Sequence, residues 1–163
     1  MAYVTRLLFE RIMMDDDDKE REALDLFGEI IVHYLKDSAL KDYENIKGNK
    51  YGSGSPESGL SKAVSSLSEE AQEVIRDCII TAIATGVHDC LAKIDDLRDS
   101  GDMTILLDGV DIIRASDGIN AEYMLEEGWE ARFSEYPTTE AVLKKYIIKY
   151  GLEMPPLLED YPV

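Results

Sequence analysis

The strongest constraint on the fold is the stretch 66–98, SLSEEAQEVIRDCIITAIATGVHDCLAKIDDLR. Apolar residues recur in it at Leu67, Ala71, Val74, Cys78 and Ala82, with a companion row at Ile75, Ile79, Ile83, Val87, Leu91 and Ile94. Steps of three and four are the period of a helix. Ser66 or Ser68 can accept the first unbonded amide hydrogens, and Glu69 and Glu70 put negative charge where a helix N-terminus favours it. The spacing therefore predicts a helix over 66–98, roughly 45–50 Å long at 1.5 Å per residue. Its middle, 78–87, is apolar on nearly all sides and is expected to be enclosed by other elements. Gly86 predicts either a close backbone approach or a kink or break.

A chain of 163 residues is long enough for one domain with a true core, so 1–163 is expected to be a single domain. Tyr3, Val4, Leu7, Leu8, Ile12 and Met13 give an amphipathic helix over 3–13. The aspartates at 15–18 follow, with Asp17 or Asp18 as N-cap for a helix over 19–36 whose apolar stripe is Ala23, Leu24, Phe27, Ile30, Ile31, Tyr34 and Leu35. Asp37 or Ser38 then caps a shorter helix over 39–46 that ends near Gly48. Residues 49–59, rich in Gly and Ser with Pro56 among them, read as a flexible loop anchored only by Tyr51.

Beyond the long helix, Asp108-Gly109 is a type I′ hairpin signal between 103–107 and 110–115. Counting back from it pairs Leu107 with Val110 and Ile105 with Ile112 on one apolar face, which must lie against helices. Residues 119–125 permit a third strand or a short helix, and Trp129, Phe133 and Tyr136 read as a lid over a core edge. Thr138 or Thr139 caps a final helix with the stripe Val142, Leu143, Tyr146, Ile147 and Tyr150, closed by Gly151. An extended tail over 152–163 holds three prolines. The fold class is thus α+β, mainly α. About five helices surround 66–98, with a small β-hairpin or three-stranded meander over 103–115, reaching 123 if three strands form.

The net charge of −17, from 34 acidic and 17 basic residues, bears on partners. It repels nucleic acid and anionic membranes and attracts basic proteins or cations. No apolar run approaches the roughly 20 residues needed to span a bilayer, and Arg6, Glu10 and Arg11 interrupt the N-terminal apolar stretch, unlike a signal peptide. Cys78 and Cys90, roughly 18 Å apart on one helix, are too far apart for a disulfide and read as reduced, buried core residues. The chain is expected to be soluble and cytoplasmic, with no cofactor. Serine-hydrolase, zinc-protease, phosphate-loop and dinucleotide motifs are all absent.

Two kinds of site remain. His88 continues a polar line along the long helix with Asp77, Thr81, Thr85 and Asp95. In the enzyme reading, a small hydrolase or metal-dependent enzyme, His88 is the general base and Asp89 or Asp95 supplies the carboxylate. A metal would need a further ligand such as Asp111 or Asp117, and none is assigned. His33 reads as a surface residue. The stronger lead is an acidic docking surface made of Asp95, Asp96, Asp99, Asp102, Asp108 and Asp111 with Trp129 as an aromatic contact, set against the plainer role of a solubilising face. On charge alone this resembles inhibitor or immunity-type proteins that cover a basic partner. A homo-oligomer joined through 3–13 is the third alternative, and the sequence leaves the oligomeric state open.

Overall fold

The computed structural model describes residues 15–152, so the helix expected over 3–13 and all but the first residue of the expected tail lie outside the described residues. Helix α1 (Asp16–Ile31) begins behind Asp15, whose carboxylate accepts the amide hydrogen of Asp18 at 2.8 Å. The cap sits earlier than the spacing predicts because the aspartates gain more inside the first turn, beside its unbonded amides. The chain runs through a π-helical turn, Val32–Asp37, into α2 (Ser38–Lys47), so Asp37 and Ser38 interrupt nothing and no capped break separates two helices.

Helix α3 (Glu57–Ser65) starts directly after Pro56 and takes residues 57–59 out of the expected loop. The tyrosine anchor of that loop is present, Tyr51 donating to Asp42 at 3.5 Å. Helix α4 (Glu69–Ser100) is the long element and is continuous. It is followed by β1 (Leu106–Leu107), β2 (Val110–Asp111), α5 (Ile119–Met124), α6 (Trp129–Phe133) and α7 (Thr139–Tyr150). The protein is mainly α with a small antiparallel hairpin, the class that the sequence implies.

The buried line of α4 is Asp77, Ile80, Ala84, Val87 and Leu91, with Gln72 ahead of it. Of the two apolar rows that the spacing gives, the companion row supplies buried Val87 and Leu91 and half-buried Ile75, Ile79, Ile83 and Ile94, whereas Leu67, Val74, Cys78 and Ala82 of the other row are exposed. Both cysteines are free, but neither is a core residue. A helix with apolar residues most of the way round carries no unique inner face, and its tertiary partners choose one. Gly86 is exposed, and a side chain there would meet open space, so the close approach it predicted does not occur.

The hairpin has the expected register, with Leu107 opposite Val110 and Leu106 opposite Asp111. Asp108 and Gly109 take the positive φ values of 52° and 86° that a type I′ turn requires. The ladder is shorter than 103–115 because the Asp111 carbonyl accepts from the amides of Arg114 and Ala115, coiling the chain into a turn that buries Ile113 beside Ile112. Among the described residues no third strand forms. Residues 119–124 are helical, and their first amides, of Ile119 and Asn120, each donate to a different oxygen of Asp95 at 3.1 Å.

The described residues group into two compact units, one of 15–39 and 85–135, the other of 40–84 and 136–152. The first is built on Ala23, Val32, Ile112, Ile113, Ile119, Tyr123 and Trp129. In it β2 packs on α1. Gly28 of α1 is required by Trp129, whose ring would stand 2.3 Å from an added Cβ.

The second unit is built on Leu40, Ile80 and Val142, flanked by Ile79, Tyr136 and Tyr146. Gln72 accepts from the Tyr43 hydroxyl through its carbonyl and donates its side-chain amide to the carbonyls of Val64 and Leu67, which fixes the turn between α3 and α4. Buried Asp77 receives Lys145 at 2.7 Å, Tyr146 at 3.1 Å and Arg76 at 3.3 Å. Burial alone would raise its pKa, but the hydrogen bonds of Lys145 and Tyr146, with Arg76, pull it below the ordinary aspartate value.

Two glycine substitutions should act in opposite directions. Gly86→Ala should stabilise by about 0.5–1 kcal/mol through helix propensity, whereas Gly28→Ala should destabilise by about 1–3 kcal/mol through overpacking against Trp129. Urea unfolding of the two variants checks both signs.

Because the folded-state pKa of Asp77 is depressed, its contribution to stability is complete above the unfolded-state value and is lost as pH falls through the folded one. Stability should therefore decline from about pH 4 downward. In Asp77→Asn the decline should be shallower and the stability at neutral pH lower, as read from unfolding midpoints across that range.

Candidate functional site

Charge is not shared between the two units. Residues 15–39 and 85–135 hold 22 acidic side chains against 7 Lys and Arg, a net −15, whereas residues 40–84 and 136–152 hold 8 against 8. Among the described residues the whole excess of negative charge therefore belongs to one unit. In the balanced unit the carboxylates are matched by cations. Lys145 holds Glu73 at 2.8 Å, Lys149 holds Glu70 at 2.8 Å, and Lys144 pairs with Glu140.

The acidic unit is built around polar groups that are themselves buried. Lys36 and Glu130 form an ion pair at 2.9 Å, with side chains 0% and 6% exposed. Asp37, next along the π turn, accepts the Ser134 hydroxyl at 2.6 Å and the Glu135 amide at 2.9 Å, and it lies 3.3 Å from Nδ1 of His33. The Tyr123 hydroxyl is buried among these groups and has no hydrogen-bond partner among the described residues. Burial, then the charges of Glu130 and Asp37, push its pKa well above the ordinary tyrosine value. Trp129 is edge-on to Phe27 with centroids 5.8 Å apart. Arg132 grips Asp25 with two hydrogen bonds, at 2.7 and 2.5 Å. Beside that fork lies an open recess of about 390 Å³ lined by Arg21, Glu126, Glu127, Ala131 and Arg132.

The acidic residues singled out by the sequence are divided by this arrangement. Asp96, Asp102 and Asp108 are exposed, Asp96 lying 3.3 Å from Lys93, Asp102 accepting from Ser100 at 2.7 Å, and Asp108 forming the hairpin turn. Asp99 falls in the last turn of α4, and its side chain lies outside the described set. Asp111 is half-buried beside Arg114 at 3.5 Å. Asp95 is occupied as the cap of α5. Trp129 is 1% exposed and belongs to the core, so as it stands it offers no contact to a partner. Its size made it look like a contact residue, but the absence of a side chain at Gly28 is what receives its ring.

His88 is partly exposed, 3.4 Å from the carboxylate of Asp89 on the surface of α4. The Asp95 carboxylate is directed to the amides of α5, and Asp77 is held by the cations of its own unit. Among the described residues no group of three or more His, Cys, Asp and Glu side chains is placed to hold a metal ion. Exposed acids that the sequence reading left out of the docking surface include Asp16, Asp17 and Asp18, read there as a helix cap, and Glu20, Glu22, Glu126 and Glu127, all in the same unit. A tally of charge by segment would have found them, but only the fold joins 15–39 to 85–135. No family model matches the chain, and comparison with curated proteins and with solved structures found no match.

The buried pair generates a testable asymmetry. Lys36→Met strips the buried Glu130 carboxylate of its countercharge and should cost about 3–5 kcal/mol, whereas Lys36→Met combined with Glu130→Leu should restore most of that loss. A double-mutant cycle in urea reads both.

Proposed function

We propose that the protein is a non-enzymatic binding module whose acidic unit engages a basic protein partner, in the manner of an inhibitor or immunity-type protein. The observation that supports this most directly is the segregation of charge, a net −15 on one unit and none on the other. A surface serving only solubility gains nothing from such concentration, and self-repulsion of like charges weakens the unit that bears it. Complementary charge accelerates encounter with a basic partner and rejects acidic ones. The exposed carboxylates of Asp96, Asp102 and Asp108 and those of Asp16, Asp17, Asp18 and Glu22 all belong to the acidic unit. Nucleic acid and anionic lipid are disfavoured by the same field. Among the described residues no helix is long and apolar enough to cross a membrane.

The test is binding of a lysine- and arginine-rich peptide to the full chain, followed by calorimetry at low and moderate salt. Affinity should fall steeply as salt rises. Changing Asp96, Asp102 and Asp108 together to Asn should weaken binding about tenfold at low salt, on the basis of about 0.5 kcal/mol per exposed charge. Changing Glu57, Glu69 and Glu140 of the balanced unit to Gln should leave it unaltered. Salt-independent binding, or an equal effect of the two triple substitutions, would overturn the reading.

A further inference from the structure

The acidic unit also carries apolar side chains that its own fold leaves outside. On α1 and the π turn, Leu26, Ile30 and Tyr34 follow one another in steps of four, all exposed, Tyr34 to 75%. Residues four apart on a helix share a face, and the wider π turn keeps Tyr34 in line with Ile30. The face turned away from the stripe is buried at Gly28, Val32 and Lys36, while buried Ala23, three residues before Leu26, marks the edge where the stripe meets the core. That buried face is satisfied by a glycine beneath Trp129, by Val32 and by an ion pair, while Leu26, Ile30 and Tyr34 face outward. Exposed Glu22 and Glu29 border the stripe, at four and three residues from Leu26.

We propose that Leu26, Ile30 and Tyr34 form the docking strip for a cationic amphipathic helix of the partner, its apolar side on the stripe and its Lys or Arg flanks toward Glu22 and Glu29. This rests on the reading of the acidic unit as the partner-binding face. Charge selects the occupant. A second copy of this chain would bring another net −15 unit against the first, and an anionic lipid surface is repelled in the same way. A neutral apolar helix would fill the stripe but leave its acidic border unused. A basic amphipathic helix satisfies both parts, and helix-in-groove recognition uses anchors at this spacing.

Two synthetic peptides of identical Lys and Leu composition test it on the full chain, one with leucines at steps of three and four, the other scrambled so that no apolar face forms. The amphipathic peptide should bind at least tenfold more tightly. Ile30→Ser with Tyr34→Ser should erase that preference while leaving the scrambled peptide's affinity, and the thermal unfolding midpoint, nearly unchanged. Equal binding of the two peptides, both weakened by the Asp96, Asp102 and Asp108 substitutions, would overturn the docking strip and leave the acidic binding face standing. Binding of neither peptide would remove both. A preference that emerges only after Leu7→Ser and Leu8→Ser would assign the stripe to the chain's own N-terminal segment and overturn the proposal for a partner helix.

Discussion

The Lys36–Glu130 ion pair is the contact on which the acidic unit depends. Two charges removed from water cost several kcal/mol each unless they meet each other with good geometry, so the pair forms only where the surrounding structure holds both ends. One end is held by the π turn, which brings Lys36 and Asp37 inward together. The other is held by α6, a helix of five residues that could not persist alone and is fixed through Trp129 over Gly28 and Arg132 on Asp25. A leucine at position 36 would have given a plainer core. What the pair adds is register, because a lysine ammonium finds its carboxylate at one place along α6 and at no neighbouring one.

This arrangement separates what is legible in the sequence from what is not. The long helix, the hairpin and the last helix were readable because each rests on local chemistry. Asp108-Gly109 needs positive φ, Thr138 accepts the Ala141 amide, and Gly151 closes α7 in the left-handed region at φ 61°. The π turn was not readable. Asp37 followed by Ser38 has the composition of a cap, and only its tertiary partners, Ser134 and the Glu135 amide, reveal that its carboxylate is spent elsewhere. The same competition explains residues 119–124, where alternation allows a strand but a carboxylate from α4 captures two successive amides and makes a helix.

Burial followed a similar rule. The apolar residues of α4 outnumber the positions its neighbours can cover, so which row is inside depends on packing that no spacing encodes. Cys78 and Cys90 fell outside, and Asp77 fell inside because Lys145, Tyr146 and Arg76 converge on it. For the candidate site, the sign of the charge was visible at once, but its concentration in one unit was not, since the two stretches that compose that unit are separated by 45 residues that hold 7 acidic and 5 basic side chains.

The division of the acidic unit between two distant stretches has a consequence for how the protein is made. The partner that grips Asp25 lies 107 residues further on. At a synthesis rate of about 5–20 residues per second, α1 leaves the ribosome roughly 5–20 s before Arg132 does. Through that interval the segment exposes the side chains that Trp129 and α6 will later cover. The aspartates at its head, together with Glu20, Glu22 and Glu29, place like charges beside that apolar segment, and charges so placed oppose association of exposed apolar chain.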